Sequence, residues 1–155
     1  MSHITKKYNK PGKWEVVIPF EKEGEEITWT GIIDAREPGE YELRVVADHR
    51  IAGTKGRITV RAVAGKDAHV KVFGMIKIRK EAQNTDDYLE LRVLTLHKSA
   101  RAVAEPELEI EANNVRASHG ASVGQVDKEQ IRYMMSRGLG RQEAVNQVVD
   151  GYLGV

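Results

Sequence analysis

The chain has 155 residues, of which 41% are hydrophobic and 30% are charged, with 24 basic and 23 acidic side chains. This balance argues against disorder, and a formal charge of +1 provides no general attraction to nucleic acid. The absence of cysteine excludes disulfides and thiolate ligands from this chain. The polar N-terminal stretch and the lack of an apolar run of about 20 residues predict a cytoplasmic protein with no membrane span.

Six segments in the first three quarters of the chain are rich in β-branched and aromatic residues. Several of them alternate apolar and polar side chains, which is typical of half-buried strands. Gly, Asp and Asn residues between them predict turns. The pattern fits a sandwich, a barrel or a solenoid, but the scarcity of tight Asn-Gly hairpin turns favours a solenoid. The predicted strands are residues 14–20, 26–33, 41–47, 57–64, 68–78 and 88–96.

Residues 125–155 change to a helical period. Asp127 is a good N-cap, and Gln130 stands three residues later, as in a capping box. An apolar face follows, and Gly138 is placed to end this first helix. A second helix is predicted from about residue 141 to residue 152. Neither helix is long enough to be stable alone, so both must dock on another surface.

An ordered series of motifs runs from residue 106 to residue 153. The sequence there is PELEIEANNVRASHGASVGQVDKEQIRYMMSRGLGRQEAVNQVVDGYL. Six motifs follow one another in this segment: a proline, an LEI strand, an Asn-Asn turn, an SHGA-x-VG block, a D-x-x-x-I-x-Y helix start and an SRGL break. In this order the motifs resemble the C-terminal signature of the SufD branch of the SufB/SufD family. The resemblance is clear from about residue 68, and it divides the chain into a β-helix core, residues 1–124, and a C-terminal helical hairpin, residues 125–155.

The resemblance implies a mainly β fold: a right-handed parallel β-helix, or β-solenoid, with a C-terminal two-helix subdomain. It implies a non-catalytic scaffold subunit of a SUF-type iron–sulfur cluster assembly complex. In that family the helices dock a SufC-like ABC ATPase, and the last strands pair with a SufB/SufD-like subunit or with a second copy. No stably bound cofactor is expected, and a transient iron ion or iron–sulfur cluster is expected at a subunit interface. The chain itself has no GxxxxGK[ST] motif, so any ATP hydrolysis belongs to a partner.

His119, in the SHGA motif, is the candidate metal ligand that the resemblance implies. Imidazole is a competent ligand for iron. The alternative is a histidine that fills a corner of the β-helix and bonds to backbone. The resemblance also implies a dimer interface formed by Leu108, Ile110, Val115 and His119.

The apolar residues of the helical hairpin have two interpretations. They form an internal core, or they contact a partner protein, for which methionine is well suited. The residues assigned to partner binding are Tyr133, Met134, Arg137, Gly138, Leu139, Ala144 and Val148.

This chain departs from the family pattern because it is shorter than typical members and lacks cysteine. The second departure excludes cysteine-based cluster ligation by this subunit alone. Two other interpretations stay open: a stand-alone β-helix homodimer that binds a metal ion or small ligand through His119, and a purely structural dimer.

Overall fold

The computed structural model describes all 155 residues as nine strands followed by two helices. The strands are β1 (Ser2–Tyr8), β2 (Gly12–Phe20), β3 (Glu26–Ala35), β4 (Gly39–His49), β5 (Lys55–Ala64), β6 (Ala68–Ile78), β7 (Thr85–Thr95), β8 (Arg101–Ile110) and β9 (Val115–Gln125). The helices are α1 (Lys128–Ser136) and α2 (Arg141–Leu153). No helix is both long and apolar enough to cross a membrane.

The strands form two parallel sheets that the chain visits in turn. One sheet has the order β1-β3-β5-β7-β9, and the other has the order β2-β4-β6-β8. Every neighbouring pair within a sheet is parallel, because the chain passes through the opposite sheet before it returns. The result is a β-solenoid of about four turns followed by two helices, which confirms the predicted fold class.

The core lies between the two sheets and is built from columns of equivalent residues. Alternate side chains of each strand point inward, and the parallel register stacks each of them on the residue one turn earlier. One such column runs through Trp29, Ile58, Leu89 and His119. The first three members are buried and belong to a single cluster of 24 buried apolar residues.

A small residue is required at one position where the inward-facing side chains of the two sheets meet. Gly74 occupies an inward position of β6, between Val45 and Pro106 in its column. A Cβ atom at this position would lie 2.8 Å from Leu89 Cδ2, which belongs to the opposite sheet. The absence of a side chain at Gly74 therefore lets the two sheets approach each other.

The structure adds a strand that the sequence analysis did not predict. β1 has the polar sequence SHITKKY, and six of its seven residues are exposed. Its backbone pairs with β3 from Ser2 to Tyr8, so hydrogen bonding rather than burial makes this segment a strand.

We predict that Gly74→Ala lowers the free energy of unfolding by about 1–3 kcal/mol, because the added methyl group overpacks the core against Leu89. The matched control is Gly124→Ala in β9, where a Cβ atom meets nothing within 4 Å. The control should change stability by less than about 0.5 kcal/mol. Urea unfolding of both variants measures the change in the free energy of unfolding. Equal changes in the two variants would contradict the close packing of Gly74 against Leu89.

Candidate functional site

The last turn of the solenoid, formed by β8 and β9, leaves core positions uncovered. Leu108 and Ile110 stack on the buried Ile76 and Ile78 of the preceding turn. No further turn covers them, and their exposed fractions are 39% and 41%. Val123 of β9 is in the same situation and is 50% exposed. The solenoid therefore ends in an apolar surface, which we call the open end, made of the inward-facing residues of β8 and β9.

His119 lies in the open end. Its register partner is Leu89, so the imidazole takes an inward-facing position, yet it is exposed because the column stops there. No group of three or more His, Cys, Asp or Glu side chains in the chain is placed to hold a metal ion. The chain therefore supplies one imidazole at this surface without a preformed set of ligands.

All four predicted interface residues take inward-facing positions at the open end, and three of them are exposed. Leu108, Ile110 and His119 are exposed there, on two different sheets. Val115, at the start of β9, is partly buried and packs against the core cluster. The topology thus brings the exposed predicted residues to one face of the molecule.

The backbone of the open end also has unpaired groups. Glu111 donates its backbone N–H to Ile78 O at 2.9 Å, and Val126 donates to Thr95 O at 3.0 Å. In parallel strands alternate residues bond to opposite sides. The outward-facing residues of β8 and β9 therefore bond to the preceding turn, and the inward-facing residues direct their N–H and C=O groups to the free edge.

The helical hairpin packs on the outer face of the sheet formed by the odd-numbered strands, β1-β3-β5-β7-β9, which we call the odd-numbered sheet. Val149 and Leu153 of α2 are buried against Ile32 and Val63 of β3 and β5. The Arg36 guanidinium adds a polar connection, with bonds to Asp34 at 2.8 and 2.5 Å and to Asp150 Oδ1 of α2 at 3.3 Å. Hydrogen bonding to Asp34 raises the pKa of Arg36 above its ordinary value. Arg36 Nη1 also donates a hydrogen bond to Asn146 Oδ1 of α2 at 3.4 Å.

The start of α1 matches one part of the predicted capping pattern. Asp127 is the N-cap, and its carboxylate accepts a hydrogen bond from the backbone N–H of Glu129 at 2.8 Å. This amide belongs to the second helical residue rather than to Gln130, the third. The cap therefore satisfies one of the free amides at the helix start.

The predicted partner-binding residues fall into three environments. Tyr133 is 63% exposed, with the Arg137 guanidinium 6.0 Å from its ring centre, and Gly138 is exposed with a positive φ of 101°. Leu139 is half-buried beside them. Ala144 is completely buried in the structure, so we do not retain it as a partner contact.

Met134 and Val148 line a cleft between the hairpin and the end of the odd-numbered sheet. Leu94 and Tyr152 also line this cleft. Burial raises the pKa of the Tyr152 phenol above its ordinary value. Two of the predicted residues thus belong to a half-buried groove rather than to an open surface.

Comparison with known proteins gives a consistent family assignment. Residues 13–152 match the family model of the SufBD core domain of the SUF system for FeS cluster assembly. An iron–sulfur cluster assembly SufBD family protein of Mycobacterium leprae is 32% identical over 145 residues, covering 88% of this chain and 37% of that protein. The iron–sulfur cluster assembly protein SufD of Escherichia coli is 40% identical over 108 residues, covering 70% of this chain and 26% of its own length. SufD of Bacillus subtilis is 43% identical over 89 residues, covering 57% of this chain and 20% of that protein. The chain spans between a fifth and just over a third of the length of these relatives.

A polar cluster inside the solenoid was missed by the sequence analysis. His49 is completely buried, with Nδ1 2.7 Å from Thr54 Oγ1 and Nε2 2.7 Å from Asp87 Oδ2. Its ring stacks on Phe20 with ring centres 4.0 Å apart. Asp87 Oδ1 has no hydrogen-bond partner and lies against Gly56, where a Cβ atom would come within 2.5 Å of it. The alternation of β4 and β7 contained the signal, since both residues have the parity of the inward-facing apolar positions.

We predict that Asp87→Ala lowers the free energy of unfolding by about 1–3 kcal/mol, because it leaves the buried His49 Nε2 without a partner. The control is the neighbouring Asp86→Ala, which removes an exposed ion pair of 3.2 Å with Arg57. The control should cost at most about 1 kcal/mol. Urea unfolding at neutral pH measures the free energy of unfolding of both variants. An Asp87→Ala variant as stable as the parent would show that the cluster has no role in stability.

Proposed function

The chain belongs to the SufB/SufD family of iron–sulfur cluster assembly proteins, and from this membership we propose that it is a non-catalytic scaffold subunit of a SUF-type assembly complex. The observation that supports the role most directly is the open end, because a scaffold needs a surface that another chain completes. The helical hairpin supplies a second surface, so that two partners can be held at once.

Subunit pairing at the open end is the first part of the proposal. Exposed Leu108, Ile110 and Val123 continue the columns of the core, and the two free strand edges carry unpaired backbone groups. Such edges pair readily with another chain. The partner is a SufB/SufD-like subunit or a second copy of this chain, which would extend the sheets and cover the apolar surface.

Docking of a SufC-like ABC ATPase through the helical hairpin is the second part. The apolar face of α2 is used on the solenoid, through Val149 and Leu153. The outer side of α1 and the following loop remain exposed and present Tyr133 and Arg137. Tyrosine and arginine are residue types that contribute strongly to protein interfaces. The absence of a phosphate-binding motif in this chain is consistent with ATP hydrolysis by the partner.

Transient binding of iron or of a nascent cluster at the subunit interface is the third part, with the metal as cargo. His119 is exposed at the open end, where its imidazole can bind iron. The other ligands would come from the paired subunit. A stand-alone homodimer that binds a metal ion through His119 is the second candidate function, and the position of this side chain at the open end favours it.

We predict that the chain forms a complex with the SufC-type ATPase of the same organism, and that Tyr133→Asp weakens this complex at least about tenfold, as expected for an interface tyrosine. Size-exclusion chromatography with light scattering measures the complex and the self-association of the chain. The matched control is Val17→Asp, an exposed apolar residue of β2, which should bind as the parent does. A chain that self-associates but does not bind the ATPase would favour the stand-alone dimer. A chain that neither self-associates nor binds the ATPase would exclude both the scaffold role and the stand-alone dimer.

We predict that His119→Ala lowers the affinity of the paired subunits for ferrous iron about tenfold or more, because the variant removes an imidazole ligand. Anaerobic titration with ferrous iron, followed by measurement of bound iron, gives the affinity. His97→Ala is the control, since His97 is exposed in a turn and its ring already contacts Ser99 at 2.8 Å. Equal iron binding by the parent and both variants would remove His119 from the proposal and leave a purely structural pairing surface.

A further inference from the structure

The charges of the chain are distributed unevenly, and the end of the solenoid formed by β1 and β2, which we call the basic end, carries an excess of lysine. Residues 1–14 contain four lysines, one histidine and no acidic side chain, although the formal charge of the whole chain is only +1. We infer that the basic end binds single-stranded nucleic acid. This binding is separate from the proposed scaffold role, because β1 and β2 lie at the opposite edges of the two sheets from β9 and β8.

Two aromatic rings lie between the sheets at the basic end. Tyr8 and Trp14 take inward-facing positions, since their register partners are the buried Ile33 and Leu43. Both rings are only partly buried, and their centres are 4.7 Å apart with the planes tilted by 43°. Each sheet thus supplies one ring to an aromatic platform. Proteins that bind single strands stack unpaired bases on such rings, largely without regard to sequence.

Four exposed lysines surround the aromatic platform. Lys6 takes an inward-facing position of β1, opposite Gly31, and is therefore part of the end face itself. Lys7 is on the outer face of the odd-numbered sheet, Lys13 is on the outer face of the other sheet, and Lys10 is in the connection between β1 and β2. Cations on both sides of a stacking surface are the arrangement that follows a nucleic acid backbone.

The ion pairs at the basic end leave these charges available to phosphate. The two lysines of β1 are in no ion pair. Lys10 contacts Glu37 at 2.7 Å and Lys13 contacts Glu42 at 3.3 Å, and both lysine side chains are 69% exposed. Exposed ion pairs contribute little to stability. A phosphate group can therefore take the place of either carboxylate.

The backbone of β1 adds hydrogen-bond donors to the basic end. Within the sheets, the outward-facing residues of a strand donate to the preceding turn, as the Lys55 N–H does to Glu25 O at 2.9 Å. The outward-facing amides of β1, those of His3, Thr5 and Lys7, therefore point to the free edge of the sheet. Backbone N–H groups are common donors to phosphate oxygens.

The aromatic platform distinguishes a single strand from other anionic partners. Acidic proteins and anionic membranes are attracted by the same lysines. Tyr8 and Trp14, however, pack against the core cluster and are held between the two sheets. Half-buried rings in this position suit the stacking of flat bases rather than insertion into a bilayer, and an acidic peptide gains little from them.

The first test measures binding of the full chain to a labelled oligothymidylate of about 12 nucleotides by fluorescence anisotropy. Affinity should fall with salt, with a slope of log K against log salt of about −0.7 for each phosphate contact. Lys6→Gln with Lys7→Gln should weaken binding at least about tenfold at low salt and make the slope shallower by about 1.4. The matched control, Lys98→Gln with Lys128→Gln, removes two exposed lysines far from the basic end and should bind as the parent does. An oligouridylate of the same length shows whether DNA or RNA is preferred, and binding of either supports the inference.

The second test uses the intrinsic fluorescence of the aromatic platform. The chain has two tryptophans, and Trp29 is only 1% exposed, so a stacked base should quench Trp14 alone. Oligothymidylate should quench this emission and heparin, a polyanion without bases, should not. Trp14→Leu, folded by its circular dichroism, should lose the quenching and bind at least about fivefold more weakly.

Three results would overturn the inference. The first is an oligonucleotide that neither binds nor quenches. The second is heparin bound as tightly as the oligonucleotide with no quenching by either, which would show an electrostatic surface only. The third is binding to vesicles of phosphatidylcholine and phosphatidylserine but not to the oligonucleotides. If Trp14→Leu does not fold, quenching in the parent and the exposed lysine variants still decide.

Discussion

The parallel, in-register stacking of turns is the constraint on which the rest of the structure depends. Each inward-facing side chain is buried only because the turns on both sides of it supply atoms to pack against. Ile76 and Ile78 are buried in this way, whereas Leu108 and Ile110, one turn later in the same columns, are not. The repeat that builds the core therefore also creates an unfinished surface where it stops. In the proposed function, this unfinished surface is the one on which a second subunit pairs.

The helical hairpin is placed so that it does not cover the unfinished surface. α2 packs on the outer face of β3 and β5 through Val149 and Leu153, and the bonds of Arg36 to Asp34 and Asp150 hold it there. Because α2 uses its apolar stripe on the solenoid, the exposed side of α1 is the part of the hairpin that we propose contacts a partner. The two candidate binding surfaces are thus close together in the chain: β8 and β9 form the open end, and the hairpin follows β9 directly. This arrangement suits a scaffold that holds an ATPase and a second subunit together.

The sequence was sufficient to predict the solenoid and the two helices, but not the positions of polar residues inside it. Strand alternation predicts an all-β body and, with the scarcity of hairpin turns, favours a solenoid. The motif series that contains the SHGA block resembles the SufB/SufD family, and that resemblance implies the β-helix. β1 was missed because SHITKKY has no apolar alternation, and its strand form comes from pairing with β3. His49 and Asp87 have inward-facing parity, but parity alone does not show that these two side chains, on different sheets and 38 positions apart, are in contact. Which edges are free depends on strand order, which no local pattern encodes.

The most direct test of the account is residue-resolved amide hydrogen exchange of β9, measured by NMR on the dilute chain and on the paired state. The account predicts that the amides of Ala117, His119 and Ala121, which face the free edge, exchange rapidly in the dilute chain and are slowed at least about tenfold on pairing. The amides of Ser118 and Ser122, which bond to β7, should be protected in both states. If the amides that face the free edge exchange at the same rate in both states, the open end is not the pairing surface.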